Sequence, residues 1–233
     1  MITSKDIAMM IDHSLLRPEL TVNDVEAGCK IAKDYGTVSV CVKPADVALS
    51  AKVLKDSGVL VTTVIGFPHG SSATATKVFE TEQAIKDGAV EVDMVLNYGR
   101  LLSGEYDYVE KDIKAVVDAA HSHGVIVKVI FENCCLTDEL KVEACKICER
   151  AGADFVKTST GFGSGGATIP DLKLMRANCP PEMRIKAAGG VRTLDSALEV
   201  RSVGVSRFGA TATVAIMDEA VKREKEGTLT ELQ

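Results

Sequence analysis

The chain has 233 residues, 46% hydrophobic and 26% charged, with a net charge of -6. This is the profile of a soluble globular protein, and an acidic chain without a clustered basic run argues against nucleic acid, whose phosphates are held by grouped Lys and Arg. No apolar run approaches ~18 residues, so no membrane span is expected, and the first sixteen residues do not pattern as a signal peptide.

Short β-branched runs alternate with helical patterns along the chain. In chain order, strands are expected at Met10–Leu15, Val38–Val42, Leu60–Gly66, Val90–Leu96, Ile126–Glu132, Phe155–Thr158, Arg184–Ala187 and Ser206–Gly209. Helices are expected between and after them, at Val22–Asp34, Pro44–Ser57, Thr74–Asp87, Tyr106–His121, Thr137–Ala151, Pro170–Asn178, Thr193–Val200 and Val214–Glu226. Gly36, Gly58, Gly88, Gly124 and Gly152 punctuate the ends of several helical stretches, as C-terminal caps commonly do. Strand-then-helix repeated over residues 1–233 predicts an α/β fold, a single (β/α)8 TIM barrel domain. A doubly wound parallel sheet is the alternative.

Strand alternation sorts the charged residues. In Val90–Val95 the apolar Val90, Val92 and Met94 share one face, which leaves Glu91 and Asp93 facing the barrel interior. The same logic turns Lys128, Lys157, Lys186 and Cys41 inward. Barrel interiors usually hold packed apolar side chains, and a buried lysine costs several kcal/mol unless it is compensated. Two lysines on neighbouring strands therefore suggest amine chemistry, because an ammonium beside another cation loses its proton more readily and then attacks carbonyls. An internal ion-pair network is the other reading of the same residues.

Two glycine-rich segments follow the last strands: Gly189-Gly190 after Lys186, and Gly209-Ala210-Thr211. Loops after strands seven and eight of a barrel often bind phosphate through backbone N–H groups. Gly161–Gly166 matches G-x-G-x-x-G, but it opens no helix directly and has no acidic partner about 20 residues on, so a loop over the site fits better than a dinucleotide fingerprint. Cys145 and Cys148 form C-x-x-C inside a helical pattern, where an apolar stripe explains them better than a metal. The seven cysteines are scattered, so free thiols in a reducing, cytoplasmic setting are expected. His121 and His123 close a helix, His69 sits at a strand end, and Asp218–Gln233 patterns as an exposed helix and tail.

Several segments resemble the deoxyribose-phosphate aldolases, a family of class I, Schiff-base-forming aldolases. They are Asp12–Leu16, Val40-Cys41-Val42, Ile65–Pro68, Glu91–Val95, Lys128–Glu132, Phe155–Gly161 (FVKTSTG), Lys186–Arg192 (KAAGGVR) and Arg207–Thr211, in order over nearly the whole chain. The resemblance implies a (β/α)8 barrel that cleaves 2-deoxyribose 5-phosphate reversibly to glyceraldehyde 3-phosphate and acetaldehyde. Lys157 is implied as the imine-forming lysine, Lys186 as its neighbour and Asp93 as the acid/base carboxylate. Asp12, Ser14, Cys41, Thr158 and Lys128 are implied around the substrate, and Gly161, Gly189, Gly190, Gly209 and Thr211 around the phosphate. No metal or other cofactor is implied, because the cationic imine is itself the electron sink. Small phosphorylated sugars and aldehydes are the implied partners, and a monomer or homodimer is expected at this size.

The chain departs from the family pattern at several points. Ser14 stands where threonine is common, and Phe162 where some members have a lysine. Lys43 and Asp46 replace an Asn and an aromatic residue, and Thr211-Ala212 replaces a pair of serines. A related Schiff-base enzyme for another phosphosugar, or a sugar-phosphate-binding protein without catalysis, are the alternatives these departures leave open.

Overall fold

A computed structural model of the protein describes residues 2–232; Met1 and Gln233, the two ends of the expected domain, lie outside the described residues. The chain begins with α1 (Ser4–Ala8), β1 (Ile11–Leu15), α2 (Val22–Tyr35), β2 (Ser39–Val42), α3 (Val47–Val53), β3 (Leu60–Ile65) and α4 (Thr74–Lys86). It continues through β4 (Glu91–Val95), α5 (Tyr98–Leu102), α6 (Tyr106–His121), β5 (Ile126–Ile130), α7 (Asp138–Ala151) and β6 (Phe155–Lys157). The last elements are α8 (Ile169–Asn178), β7 (Arg184–Ala188), α9 (Leu194–Ser202), β8 (Arg207–Ala210) and α10 (Thr213–Lys225).

All neighbouring strands are parallel, and β8 returns to β1 through Ile11–Phe208, Asp12–Gly209 and His13–Ala210, which closes the barrel. The closed barrel selects the (β/α)8 expectation over the open sheet. Val92, Met94, Val127, Val129, Val156, Ile185 and Phe208 point outward and are fully buried under the helices. Each large apolar side chain buried in this way contributes roughly 1.5–3 kcal/mol.

Helix boundaries follow local chemistry. Thr21 and Asp24 form a capping box at the start of α2, and Gly36 ends it with φ 62°. Thr137 caps α7, and Gly152 ends it with φ 81°. The helix expected over Pro44–Ser57 is instead a 3-10 turn at Pro44–Asp46 followed by the shorter α3. Asp46 has φ -101° and ψ 2°, which breaks the helical path, and α3 ends at Val53, ahead of the positive φ at Asp56 and Gly58. The short α1 and α5 were not expected, since five residues are too few for a periodic signal. Ile7 of α1 is nonetheless fully buried, and the Ser4 amide donates to Glu224 at 3.1 Å, tying α1 to α10.

Among the described residues, one fully buried ion pair lies outside the barrel interior. Lys77 of α4 and Asp112 of α6 are both fully buried, with Nζ 2.6 Å from Oδ2. Lys77 also donates to the Val95 carbonyl at 3.0 Å, and Thr74 donates to Asp112 Oδ1 at 2.7 Å. The pair thus binds two helices to the end of β4, one residue pair beyond Asp93. Replacing Lys77 by methionine leaves Asp112 buried without its cation, and a loss of about 3–5 kcal/mol is expected in denaturant unfolding. The double variant Lys77→Met/Asp112→Leu should recover much of that loss; a single variant as stable as the parent would contradict the pairing.

Candidate active site

Paired residues of neighbouring parallel strands face the same side, so register sets which charges meet. Asp93 of β4 lies beside Lys128 of β5, Lys157 of β6 beside Lys186 of β7, and Lys186 beside Arg207 of β8. All five point into the barrel, and all are buried. Phe155 fills the floor beneath them, with the Lys128 ammonium 5.7 Å and the Arg207 guanidinium 5.9 Å from its ring centre.

Asp93 is the hub. Its Oδ2 accepts from Lys157 Nζ and from Lys186 Nζ, each at 2.7 Å, and its Oδ1 accepts from Lys128 at 2.9 Å. Lys128 also reaches Glu91 at 2.6 Å. Arg207 spans Asp12 at 2.6 Å and Glu91 at 2.9 Å, and Lys186 contacts Asp12 from the other side. Ser39 and Thr62 donate to Asp12 and Glu91 at 2.8 and 3.1 Å.

The charges settle unequally. Burial alone would raise the Asp93 carboxyl, but the three ammoniums hold it well below the usual carboxylate range. Burial also opposes the charge on Lys186, yet Asp12 and Asp93 outweigh it and raise its pKa. Lys128 is raised in the same way by Asp93 and Asp12. Lys157 is the exception: burial lowers its pKa, the Lys186 ammonium lowers it further, and Asp93 only partly offsets them. The network therefore holds three carboxylates against three committed cations, with Lys157 as the amine that can be neutral.

Lys157 opens into a pocket at the C-terminal mouth of the barrel, where barrel sites usually lie. Asp12, Ser14, Cys41 and Lys186 line it together with Lys157. So do Gly161, Gly189, Gly190, Gly209 and Thr211, the five residues expected around a phosphate. Gly189 and Gly190 have φ 78° and 100°, and a Cβ on Gly189 would lie 2.9 Å from the Gly166 Cα, so the turn there requires glycine. Burial pushes the Cys41 thiol up to about 11, which keeps it protonated near neutrality.

Three expected contacts are not brought to the pocket wall. Lys128 lies below it, consumed by Glu91 and Asp93. Thr158 is fully buried and bridges β6 to β7, donating to the Ala188 carbonyl at 3.2 Å and accepting from the Ala188 amide at 3.0 Å. Asp93 faces the pocket only through the two ammoniums it holds. Alternation identifies an inward residue but not its height along the axis, which is why Lys128 was expected higher; Thr158, next to the inward Lys157, falls on the opposite face, and only the resemblance implied it.

The departures from the family pattern divide: Ser14, Phe162 and Thr211 line the pocket, and Lys43, Asp46 and Ala212 do not. Lys43 donates to the Leu20 carbonyl at 2.8 Å and sits 3.3 Å from Asp46, and neither they nor His69 line the pocket. Phe162 does, packed edge-on against Phe67 with ring centres 5.3 Å apart. Cys145 and Cys148 are free, fully buried thiols, and among the described residues no group of His, Cys, Asp and Glu is arranged to hold a metal ion. His121 bonds Asp154 at 2.8 Å on the surface, away from the site.

Two side chains had escaped assignment. Arg207 was legible by alternation, since Phe208 beside it faces outward. Glu132 was not: it follows β5 with φ 57°, a left-handed conformation that a non-glycine residue adopts only when its surroundings hold it. Its buried carboxylate accepts from Thr160 Oγ1 and, at 3.3 Å, from the Thr160 amide. Thr160 Oγ1 in turn accepts from the Phe162 amide at 3.0 Å, so Glu132 anchors the loop that carries Gly161 and Phe162.

Fold and site together define a barrel enzyme that presents a lysine amine to a carbonyl compound, the use of lysine found in class I aldolases. Comparison with known proteins carries this to a family. The model for DeoC/LacD family aldolases matches residues 6–212. The deoxyribose-phosphate aldolase of Clostridium perfringens (strain 13 / Type A) is 54% identical over 217 residues, 93% of this chain and 96% of that protein. The one from Thermococcus gammatolerans is 50% identical over 221 residues, 94% of this chain and 98% of that protein. The tetrameric structure of deoxyribose phosphate aldolase from Aeropyrum pernix matches with a TM-score of 0.87 at 30% identity, covering 93% of this chain and 92% of that one. The chain belongs to the DeoC/LacD aldolase family.

Removing the loop anchor tests this description of the site. Glu132→Ala leaves the Thr160 donors without a buried acceptor, and a loss of about 1–3 kcal/mol is expected in denaturant unfolding. Amide hydrogen exchange should accelerate over Thr160–Gly163 and not in α2. Unchanged exchange in that loop would show that Glu132 does not hold it.

Proposed function

We propose that the protein cleaves 2-deoxy-D-ribose 5-phosphate reversibly to D-glyceraldehyde 3-phosphate and acetaldehyde, through an imine on Lys157. One observation carries the assignment of the nucleophile: of the three lysines on Asp93, only Lys157 both lines the pocket and has its pKa lowered. Free lysine titrates near ~10.4 and is almost wholly protonated at neutral pH, so this lowering is what makes an attacking amine available.

The steps follow from that amine. Neutral Lys157 adds to C1 of the open-chain sugar, giving a carbinolamine, and loss of water gives the cationic imine. The C3 hydroxyl loses its proton, the C2–C3 bond breaks, and its electron pair moves into the imine. Glyceraldehyde 3-phosphate leaves, and an enamine of acetaldehyde remains on Lys157. Protonation at C2 restores the imine, and water releases acetaldehyde and the amine.

Proton traffic needs a donor and an acceptor beside Nζ. Lys186 stays charged and lines the pocket, so it is assigned as the donor to the departing hydroxyl. Asp93 Oδ2 touches both nitrogens, so it passes protons between them and keeps Lys186 ionised as Lys157 changes state. Asp12 and Ser14 are assigned to the sugar hydroxyls, and Cys41 to the wall near the reacting carbon. Gly161, Gly189, Gly190, Gly209 and Thr211 surround the phosphate. The α10 N-terminus, which directly follows Thr211, has no side-chain cap, so its amides are available to an anion. His13 on β1 holds the same helix by bonding Thr213 at 2.8 Å, and burial lowers its pKa to about 4, so it stays neutral.

Lys43, Asp46 and His69 lie outside the pocket lining, and of the departures within it Ser14 and Thr211 keep a hydroxyl that suits the same sugar phosphate. Borohydride reduction in the presence of acetaldehyde, with peptide mapping by mass, is expected to leave one ethyl group on Lys157. Lys157→Met should gain none and lose cleavage by at least about three orders of magnitude. An adduct on Lys186 with Lys157 unmodified would reverse the two roles, and no adduct in folded protein would remove the aldolase reading.

A further inference from the structure

The C-x-x-C of α7 takes no part in the chemistry of the pocket. Cys145 and Cys148 lie on the same face of α7 as Lys141 and Ala144, and both are fully buried. That helix packs against α8. The residue just past the end of α8 is a third cysteine, Cys179, half-buried and packed against the same core as the other two. The Cys145 and Cys179 thiols are close enough to share a hydrogen bond, and both are free.

Arg176 fixes the setting of Cys179. Its guanidinium donates to the Cys179 carbonyl at 3.0 Å, to the Pro180 carbonyl at 2.6 Å and to the Met183 carbonyl at 2.9 Å. These bonds hold the turn after α8 in place and leave a positive charge near the thiol. The two sulfurs are therefore unlike. The hydrogen bond with Cys145 and the Arg176 charge pull the Cys179 pKa down, against the effect of burial. The same hydrogen bond, together with burial, pushes Cys145 up, so it keeps its proton. Burial raises Cys148 as well. A thiol that solvent reaches and that ionises readily, beside a protonated thiol that solvent does not reach, is the arrangement of an attacking and a resolving cysteine.

We propose that Cys179 and Cys145 form a peroxide-reactive pair, in which Cys179 is oxidised first and Cys145 then closes a disulfide between α7 and α8. In the first step the Cys179 thiolate attacks one oxygen of hydrogen peroxide. An S–O bond forms, the O–O bond breaks, and the departing hydroxide takes up a proton to become water. The sulfur is now a sulfenic acid, and the peroxide has been reduced. In the second step the Cys145 sulfur attacks the sulfenic sulfur. The S–S bond forms, the S–O bond breaks, and the Cys145 proton leaves with the hydroxyl as a second water. Two thiols and one peroxide thus give one disulfide and two waters. Resolution by Cys145 also stops Cys179 from passing on to sulfinic acid, which thiols do not reverse. Neither sulfur lines the catalytic pocket, so the reaction needs nothing from Lys157 and stands apart from the aldolase chemistry.

The test treats the folded parent protein with a molar excess of hydrogen peroxide, blocks the remaining thiols with N-ethylmaleimide, and maps unreduced peptides by mass. The expected product joins the Cys145 and Cys179 peptides, is lighter by the two thiol hydrogens, and is released by dithiothreitol. In Cys145→Ser, and in Cys145→Ala should the buried serine disturb folding, Cys179 should collect as a sulfenic acid that dimedone traps, and then advance to sulfinic acid. In Cys179→Ser, oxidation of Cys145 should slow by at least about tenfold, because a buried, protonated thiol is a poor nucleophile. A parent in which Cys179 stays reduced, joins Cys148 instead, or reaches sulfinic acid without a crosslink overturns the pair, and this result needs no variant to fold. Oxidation of Cys145 at the parent's rate in Cys179→Ser also overturns it, because Cys179 would then not be the point of attack.

Discussion

The Asp93 carboxylate, clamped by three lysine ammoniums inside a closed barrel, is the interaction on which the rest of this structure depends. It holds Lys157 and Lys186 to one oxygen atom, and that shared contact makes their protonation states differ. Two ammoniums side by side in a low-dielectric interior repel each other, so one of them gives up its proton most easily. Asp12 decides which, because it contacts Lys186 and not Lys157. A second carboxylate on one lysine is thus enough to separate a permanent cation from a potential nucleophile.

Such a network is costly. Continuum reasoning and mutagenesis agree that buried ion pairs often add less stability than well-packed apolar side chains of the same shape. Here the apolar contribution comes from outside the barrel, where Val92, Met94, Val127, Val129, Val156, Ile185 and Phe208 pack beneath the helices. The alternation of each strand thereby divides the work: one face holds the fold together and the other holds the charges. Glu132 and the Lys77–Asp112 pair extend this plan to the loops and helices around the mouth.

Much of this was legible in the residues. Period-two alternation turned Glu91, Asp93, Lys128, Lys157, Lys186 and Cys41 inward, because an apolar face has one place to go in a barrel wrapped by helices. Strand-helix repetition identified the architecture, and glycines at the strand ends marked the loops around the pocket. Height along the barrel axis was not legible. Lys128 has the right face but the wrong level, and only the stagger of the closed sheet decides that; Thr158, adjacent to the inward Lys157, has the other face. Glu132 was hidden for a different reason: its role depends on a left-handed backbone and a contact with Thr160, 28 residues away in sequence. Short elements such as α1 and α5 carry too few residues for a periodic pattern, and tertiary contacts rather than propensity stabilise them.

The account stands on Lys157 being easier to deprotonate than an ordinary lysine, with Lys186 as one cause. The most direct measurement is an NMR titration of the Lys157 side chain, using protein with isotope-labelled lysine, in the parent and in Lys186→Met. In the parent the resonance should titrate below the ordinary lysine value of ~10.4, and in Lys186→Met it should move upward, since a repelling cation is lost and Asp93 turns more fully to Lys157. A Lys157 that titrates at or above the ordinary value in the parent would contradict the account.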